Sequence, residues 1–372
     1  MFDEERLKEF GKKISDLIQG KDLTRQEAKE MYGQVLLNKQ PDLQQGAFMM
    51  ALTAKGETPE EIAGAWEAIF ELDTVKVNPV TPEPLVDNCG TGMDELKTFN
   101  VSTAAAIVAA ANGIYMAKHG ARSITSKFGA IDILEAIGVD VECDVEIVKN
   151  SIEKAGIGIF NGMSNKVHPQ ALCRILSQIR FGTTINIAGS LANPTSPRYA
   201  VRGVYSKGLT EIVAQAMKEI GFKKAMVFHG LDADGIRGMD EISPLGETQV
   251  TELDQDGQIT NYSLSPKDLG IRRAVYEDFL PCSNIEEEAL NFLRILSGKE
   301  QGSKRHMVCI NAAPILYLMG KVEDLKKGVE RARETIESGQ AIAKLRQWVE
   351  AQNSDPKAGL RKIDGLLARI MM

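Results

Sequence analysis

The chain has 372 residues, 43% of them hydrophobic, which is enough for a small domain beside a larger one, each with its own core. Its 44 basic and 51 acidic side chains give a net charge of -7, so no overall positive field exists to attract nucleic acid or anionic lipid. No apolar run reaches the roughly 18 residues of a membrane span, and the N-terminus lacks a signal-peptide core. The five cysteines are scattered along the chain, without the spacing typical of disulfide pairs or zinc ligands: Cys89, Cys143, Cys173, Cys282 and Cys309. We therefore expect a cytoplasmic protein without disulfides or zinc.

The N-terminal part of the chain predicts helices with well-marked starts. Thr24 lies three residues before Glu27, and residues 58–61 combine a capping hydroxyl, a first-turn proline and a reciprocal glutamate. Apolar residues between and after these starts recur at helical spacing. We therefore predict a small all-helical domain over residues 1–80, joined by helices from about residues 165–195.

The pattern changes after a proline-bearing segment at residues 77–84, which we interpret as a linker. From Leu85 onward, short apolar runs bounded by glycine alternate with alanine-rich or amphipathic segments. This alternation indicates an α/β domain with a mainly parallel central sheet over residues 81–352, followed by a helical extension over 353–372. The predicted strands are 114–117, 139–141, 157–160, 224–228 and 307–310, and the predicted later helices are 168–180, 285–296, 322–347 and 360–370.

A glycine motif opens the α/β region. Gly90-Thr91-Gly92-Met93-Asp94 precedes Asn100-Val101-Ser102-Thr103, and an alanine-rich run follows at once. A glycine turn followed by a polar helix start presents bare backbone N–H groups to a phosphate, and Asn100, Ser102 and Thr103 add side-chain hydrogen-bonding groups. The alternative from these residues alone is an ordinary strand-to-helix turn with Ser102 or Thr103 as the N-cap.

A basic and hydroxyl-rich cluster, residues 118–127, follows the predicted strand 114–117. It contains Lys118, Arg122 and Ser126, which at the carboxyl end of a strand would form a local anion-binding site. The alternative is a solvated turn. The sequence supplies no acid–base partner for His119, so we assign it no proton transfer at this point.

Two adjacent carboxylates, Asp240 and Glu241, follow the strand predicted at 224–228. They lie on a loop with several glycines, and their hard oxygen atoms suit Mg²⁺, which commonly binds one or two carboxylates together with substrate phosphates. The alternative is a solvated acidic turn. Asp232 and Asp234 in the same loop leave the identity of the ligands open.

Taken together, these motifs resemble the anthranilate phosphoribosyltransferase family. The resemblance runs from residues 23–28 and 54–64 to residues 311–313 and 341–345, and it covers nearly the whole chain except the C-terminal extension. It implies a small helical domain joined to a larger α/β domain, in a homodimer formed through the helical regions. The family's Mg²⁺-dependent reaction, a step of tryptophan biosynthesis, transfers ribose 5-phosphate from phosphoribosyl pyrophosphate to the amine of anthranilate and releases pyrophosphate.

The resemblance also implies roles for the matching residues. Lys118, Asp240 and Glu241 would be the catalytic groups, with Lys118 as a pyrophosphate ligand. Ser102, Asp240 and Glu241 would hold the magnesium ion. The implied substrate-binding residues are Gly90, Thr91, Gly92, Asp94, Thr98, Asn100, Ser102, Thr103, Lys118, His119, Gly120, Ala121, Arg122, Ser126 and Arg174.

This sequence departs from the family on the acceptor side. Met93 stands at a family glycine, Ala121 at an asparagine and Ser190 at a proline. Leu176 stands where a family arginine meets the anthranilate carboxylate, and Arg174 is out of register with that position. The acceptor therefore stays open between anthranilate and another aromatic amine or nitrogen heterocycle. Two further alternatives are a nucleoside phosphorylase of similar architecture and a non-catalytic relative that binds nucleotide or nucleic acid, although the net negative charge argues against nucleic acid.

Overall fold

The structure, a computed structural model, describes residues 3–123 and 126–371. Its helices are α1 (Glu4–Ile18), α2 (Arg25–Leu36), α3 (Asp42–Lys55), α4 (Pro59–Leu72), α5 (Val101–Ala111), α6 (Ala130–Ile137), α7 (Val145–Ala155), α8 (Leu172–Gln178), α9 (Thr184–Leu191), α10 (Leu209–Ile220), α11 (Ile285–Leu296), α12 (Ser303–Leu318), α13 (Leu325–Glu337), α14 (Gln340–Ala351) and α15 (Pro356–Met371). Its strands are β1 (Leu85–Gly90), β2 (Tyr115–Gly120), β3 (Ile157–Asn161), β4 (Tyr199–Gly203), β5 (Lys224–Leu231), β6 (Gly238–Met239), β7 (Thr248–Leu253) and β8 (Ile259–Leu264). None of the helices in these residues is both long and apolar enough to cross a membrane.

Helices α1 to α4 form a bundle whose starts follow the sequence signals. Thr24 Oγ1 accepts a hydrogen bond from the Glu27 backbone N–H at 3.3 Å, and the Glu27 carboxylate accepts one from the Thr24 backbone N–H at 3.0 Å. An equivalent capping box, formed by Thr58 and Glu61, begins α4. Helices α8 and α9 pack on this bundle through a shared apolar cluster, and Trp66 Nε1 on α4 donates to the Leu191 carbonyl at the end of α9. Segment 165–195 thus contributes to the bundle although it lies between strands in the chain.

The central sheet has the strand order β3-β2-β1-β4-β5-β7-β8, with β6 paired to β5. The strands from β3 through β5 in this order are mutually parallel, and β7 and β8 extend the sheet as antiparallel strands. Helices α5 and α12 cover one face, while α10 and the helical bundle cover the other. The predicted fold, a helical N-terminal domain with a larger, mainly parallel α/β domain, is confirmed.

The position of β1 in this order determines where a ligand site can form. The chain goes from β1 to β2 and β3 on one side, then returns to place β4 on the other side of β1. Such a reversal opens a crevice beyond the carboxyl ends of the strands. Here those ends are Gly90, Gly120 and Gly203, so the glycine motif and the basic cluster meet at one edge of the sheet.

Several element predictions were wrong. Residues 139–141 form a loop between α6 and α7, and residues 307–310 lie inside α12, a buried helix. A short apolar run looks the same in a buried helix and a buried strand, which explains the second error. The helix predicted at 168–180 is helical only over Leu172–Gln178, and the one predicted at 322–347 is divided by Gly339, whose φ is 77°.

The C-terminal extension is docked on the α/β domain. Helix α15 packs on α14, α11 and α6. Just before it, the buried amide of Gln352 accepts from Ile159 N at 2.9 Å and donates to Ile159 O at 2.9 Å. The side chain therefore takes the place of a neighbouring strand along the free edge of β3.

Candidate active site

A cavity of about 220 Å³ opens beyond the carboxyl ends of β1 and β2. On its opposite side lie α8 and α9 of the helical bundle. Most of the predicted site residues line this cavity, namely Gly90, Thr91, Gly92, Asp94, Thr98, Asn100, Ser102, His119, Gly120, Ala121, Arg122, Ser126, Asp240 and Glu241. Three others, Thr103, Lys118 and Arg174, are not among its lining residues.

The glycine motif forms a tight loop at the end of β1. Gly92 has φ 67° and Met93 has φ 66°, both in the left-handed region. For a residue with a side chain this conformation costs roughly 1–2 kcal/mol. The Gly92 N–H donates to Asp240 Oδ2 at 2.8 Å, so this hydrogen bond connects the loop to the pair Asp240-Glu241. Met93 lines the cavity and covers backbone that a glycine would leave bare.

Helix α5 begins beside this loop without a side-chain cap. Asn100 at its N-cap makes no capping hydrogen bond. Asn100 Oδ1 and Thr103 Oγ1 are buried and have no hydrogen-bond partner within the described residues. The backbone N–H groups at this helix N-terminus therefore have no side-chain cap, and beside a glycine loop they form an arrangement suited to bind a phosphate.

Three carboxylates converge at the floor of the cavity. One oxygen each from Asp94, Asp240 and Glu241 lies within 4.8 Å of the others. Thr98 Oγ1 donates to Glu241 at 3.2 Å, and Lys97 pairs with Asp94 at 2.8 Å. Three hard oxygen donors at this separation fit a divalent cation such as Mg²⁺.

Their electrostatics support the same conclusion. Burial and the neighbouring Asp94 raise the pKa of Asp240 to about 7. Burial and the other two carboxylates raise the pKa of Glu241 well above its usual range, and burial also raises the pKa of Asp94. The three groups thus repel one another as anions, and a cation between them would relieve the repulsion.

The sequence identified only part of this cluster. Ser102, a predicted magnesium ligand, lines the cavity, but Asp94 was expected to contact substrate and not metal. The sequence also left Asp232 and Asp234 open as ligands. In the structure Asp232 accepts hydrogen bonds from the Ile236 backbone N–H and the Arg237 side chain, and Asp234 is exposed. Neither belongs to the cluster.

Lys118 lies beneath the glycine loop. Its ammonium group donates to Asn88 O at 2.6 Å and to Asn88 Oδ1 at 2.9 Å, and its side chain is buried. Burial lowers its pKa to about 8. The buried ion pair between Arg202 and Asp87, 2.7 Å long, lies next to it. A contact of Lys118 with pyrophosphate remains a prediction, because in this structure the ammonium group does not line the cavity.

Arg174 does not reach the cavity, contrary to its predicted contact with substrate. Its guanidinium donates to Gln45 Oε1 at 3.2 Å and to Val35 O at 2.9 Å, both in the helical bundle. Leu172 and Leu176, one helical turn apart, line the cavity instead. At 3.6 residues per turn, a residue midway between them points to the opposite side of α8. Arg122 lines the cavity margin while its guanidinium binds three acidic side chains, Asp132, Glu135 and Glu142.

A histidine that lines the cavity contacts a second, buried histidine. His119, at the end of β2, lines the cavity, and its Nε2 lies 3.0 Å from Nε2 of His168. No sequence pattern indicates this partner, because His168 belongs to an irregular segment far along the chain. Only the approach of that segment to the carboxyl end of β2 reveals the pair.

The position of Asp240 depends on two glycines. A Cβ added to Gly203 would overlap the Asp240 carbonyl, and one added to Gly90 would overlap the Asp240 carboxylate. We predict that Gly203→Ala displaces Asp240 and weakens divalent-cation binding at least tenfold, because overpacked backbone costs roughly 1–3 kcal/mol to relax. Electron paramagnetic resonance of Mn²⁺ added to the purified protein measures this.

The matched control for this prediction is Gly208→Ala, since that glycine has open space around it and a φ of -66°. Asp240→Asn provides a second comparison that keeps the backbone unchanged and removes one ligand charge. Mn²⁺ binding by Gly203→Ala equal to that of the parent protein would contradict the structural argument.

Known proteins share this architecture. Residues 12–72 match the model of the glycosyl transferase family, helical bundle domain, and residues 82–342 match that of the glycosyl transferase family, a/b domain. The anthranilate phosphoribosyltransferase of Methanococcoides burtonii is 41% identical over 91% of this chain and 92% of its own. That of Acetivibrio thermocellus is 39% identical over 92% of this chain and 96% of its own.

Solved structures agree with these similarities. The anthranilate phosphoribosyltransferase of Thermus thermophilus superposes with a TM-score of 0.80 at 33% identity, over 91% of this chain and 98% of its own. The Saccharomyces cerevisiae enzyme was solved in complex with phosphoribosyl pyrophosphate and Mg. It superposes with a TM-score of 0.81 at 25% identity, over 95% of this chain and 99% of its own. The resemblance found in the motifs is confirmed, and the chain belongs to the anthranilate phosphoribosyltransferase family.

Proposed function

We propose that this protein is a Mg²⁺-dependent phosphoribosyltransferase that transfers the phosphoribosyl group of phosphoribosyl pyrophosphate to an aromatic amine. Anthranilate, the acceptor named for its relatives, is the first acceptor to test, and it would place the reaction in tryptophan biosynthesis. The observation that carries the proposal is the juxtaposition of the Asp94, Asp240 and Glu241 carboxylates with the glycine loop and the uncapped start of α5 in one cavity.

The donor end of the cavity matches a phosphorylated, metal-bound substrate. When bound, Mg²⁺ would neutralise the charge that develops on departing pyrophosphate. Asp94, Asp240 and Glu241 would hold the ion. Backbone N–H groups of the glycine loop and of the first turn of α5 would orient the phosphates, and Ser102 lies on the same wall. This end therefore supplies positioning and charge stabilisation, the two needs of a reaction with an anionic leaving group.

The opposite end suits a planar aromatic acceptor. The lining side chains of α8 and α9 are uncharged: Leu172, Leu176, Ile185, Asn186, Gly189 and Ser190. Apolar walls of this kind pack against a ring and exclude water, while a few polar groups fix its orientation. An amine held here faces the donor end, where the ribose carbon would be attacked.

The proposed function predicts strict dependence on the cation and on its ligands. With phosphoribosyl pyrophosphate, Mg²⁺ and anthranilate, we expect loss of anthranilate fluorescence together with pyrophosphate release, and EDTA should abolish both. Glu241→Gln should lower kcat by about 10²–10³, the usual effect of removing one preorganised electrostatic contact.

Asp234→Asn is the matched control for that experiment, because Asp234 lies in the same loop and is exposed. Its activity should equal that of the parent protein. Pyrophosphate release that persists in EDTA, or that occurs with none of a panel of aromatic amines, would refute the proposed function.

Leu176 leaves the α8 and α9 wall of the cavity without a cation that could pair with the carboxylate of anthranilate. We expect Leu176→Arg to lower KM for anthranilate about tenfold, since a hydrogen bond to a charged group contributes roughly 1.5–3 kcal/mol. Steady-state kinetics with aniline provide the comparison, because aniline lacks the carboxylate. An equal change for both amines would show that residue 176 does not meet the carboxylate.

We also propose a homodimer formed through the helical bundle, as the family resemblance implies. Large apolar side chains are exposed on α1 and α3, with Ile18 72%, Leu43 88% and Met50 46% exposed. Sedimentation velocity should report a dimer, and Leu43→Asp combined with Met50→Asp should shift it to monomer. Val80→Asp, at an 83% exposed apolar site outside the bundle, should leave the dimer unchanged.

A further inference from the structure

His168 has its tautomer fixed by a backbone carbonyl. Its Nδ1 lies 2.6 Å from Asp73 O, and a carbonyl oxygen can only accept, so Nδ1 carries the proton. Thr74 Oγ1 also approaches Nδ1, at 3.4 Å, but the threonine hydroxyl donates to Ile69 O. Burial lowers the pKa of His168, which keeps the ring neutral. Its Nε2 is therefore a bare acceptor.

That acceptor in turn fixes the tautomer of His119. The two Nε2 atoms lie 3.0 Å apart, and two lone pairs at this distance would repel, so Nε2 of His119 carries the proton and donates it to His168. Burial, His168 and Arg202 lower the pKa of His119 well below its usual range. A neutral ring protonated at Nε2 has its free lone pair at Nδ1.

The free nitrogen belongs to a ring that lines the cavity. No hydrogen bond to Nδ1 of His119 exists within residues 3–123 and 126–371, and the backbone of His119 is held by a bond from its N–H to Asp87 Oδ1 at 3.2 Å. The charged and titratable groups around this ring are Arg202, Asp87 and His168, and the Ser190 carbonyl also faces it. The ring lies beside the uncharged wall of α8 and α9, where the amine would sit.

We propose that His119 is the general base that takes the proton from the acceptor amine, and that His168 is the positioning residue that keeps His119 Nδ1 free to accept it. This inference rests on the proposed function. It assigns chemistry to a buried histidine pair that the binding of donor and metal leaves unused.

The acceptor amine bears N–H groups and a nitrogen lone pair. The nitrogen lone pair forms a bond to the ribose anomeric carbon while the carbon–oxygen bond to pyrophosphate breaks, and pyrophosphate leaves with that electron pair. The resulting arylammonium gives one N–H proton to His119 Nδ1. An arylammonium is a stronger acid than an ordinary imidazolium, which favours transfer of this proton to a histidine, whereas the burial that lowers the pKa of His119 opposes the transfer. The imidazolium charge is shared with His168 through the Nε2 contact.

The tautomers can be tested without any activity measurement. The chain contains four histidines, so side-chain ¹⁵N NMR of histidine-labelled protein resolves a small set of signals. We expect an Nε2–H tautomer for His119 and an Nδ1–H tautomer for His168, assigned through His119→Asn and His168→Gln. An Nδ1–H tautomer for His119 in the parent protein would overturn the inference whatever the kinetics show.

Kinetics test the catalytic role. His119→Asn should lower kcat by about 10²–10⁴ with little change in KM for phosphoribosyl pyrophosphate, the range for loss of a general base. His168→Leu should lower kcat at least tenfold and change the acid limb of the kcat–pH profile. His168→Gln should restore most of the activity, because its amide oxygen can still accept from His119 Nε2.

The outcomes separate the two proposals. A parent protein that releases pyrophosphate with an aromatic amine, combined with an unchanged kcat in His119→Asn, would refute the general base and leave the proposed function intact. A parent protein that releases none with any amine would refute the proposed function itself. Equal losses in His168→Gln and His168→Leu, with no change in either pH profile, would assign His168 a merely structural role and overturn its positioning role.

Discussion

The close approach of Asp240 to the ends of β1 and β4 is the constraint on which the rest of the site depends. The carboxylate lies against Gly90 and accepts from Gly92 N–H, and its carbonyl lies against Gly203. Glycine is needed at both strand ends because any side chain would occupy the same space. This approach joins two segments far apart in sequence, and it places Asp240 and Glu241 beside Asp94.

Beneath the same loop lies buried charge of the opposite sign. Arg202 and Lys118 are both buried, and Asp87 is the carboxylate paired with the arginine. Two cations and one anion leave an excess of positive charge below the carboxyl end of β1. Since charges in a poorly solvated interior act over longer distances than in water, this excess favours an anionic leaving group above it. The bond from Lys118 to Asn88 keeps this charge beneath the loop.

Local motifs predicted residues that the structure brings together in one cavity, and long-range packing explains what the motifs missed. A few adjacent residues were enough to predict each of three features: the glycine loop, the start of α5 and the pair Asp240-Glu241. Gly203 and His168 act only through contacts across the fold, so no adjacent residue indicates their roles. The direction of Arg174 depended on where α8 begins, and the irregular segment before Leu172 could not be placed from its residue pattern. The α/β class was predictable because it depends on the alternation of strands and helices along the whole chain. A single wrong element, such as the buried helix at 307–310 that was predicted as a strand, does not change that pattern.

The acceptor end imposes two demands that compete. Desolvation keeps the ring of His119 neutral, with one nitrogen lone pair free, although it also lowers the pKa of the ring. The uncharged wall of α8 and α9 maintains that environment. The same desolvation penalises the carboxylate of an acceptor such as anthranilate unless a cation accompanies it. A guanidinium at residue 176 would pair with the carboxylate, and before the acceptor arrived it would also disfavour protonation of His119. Leucine at this position therefore favours protonation of His119 but leaves the carboxylate of the acceptor without a cation. The choice of acceptor and the basicity of His119 thus depend on the same charge at residue 176.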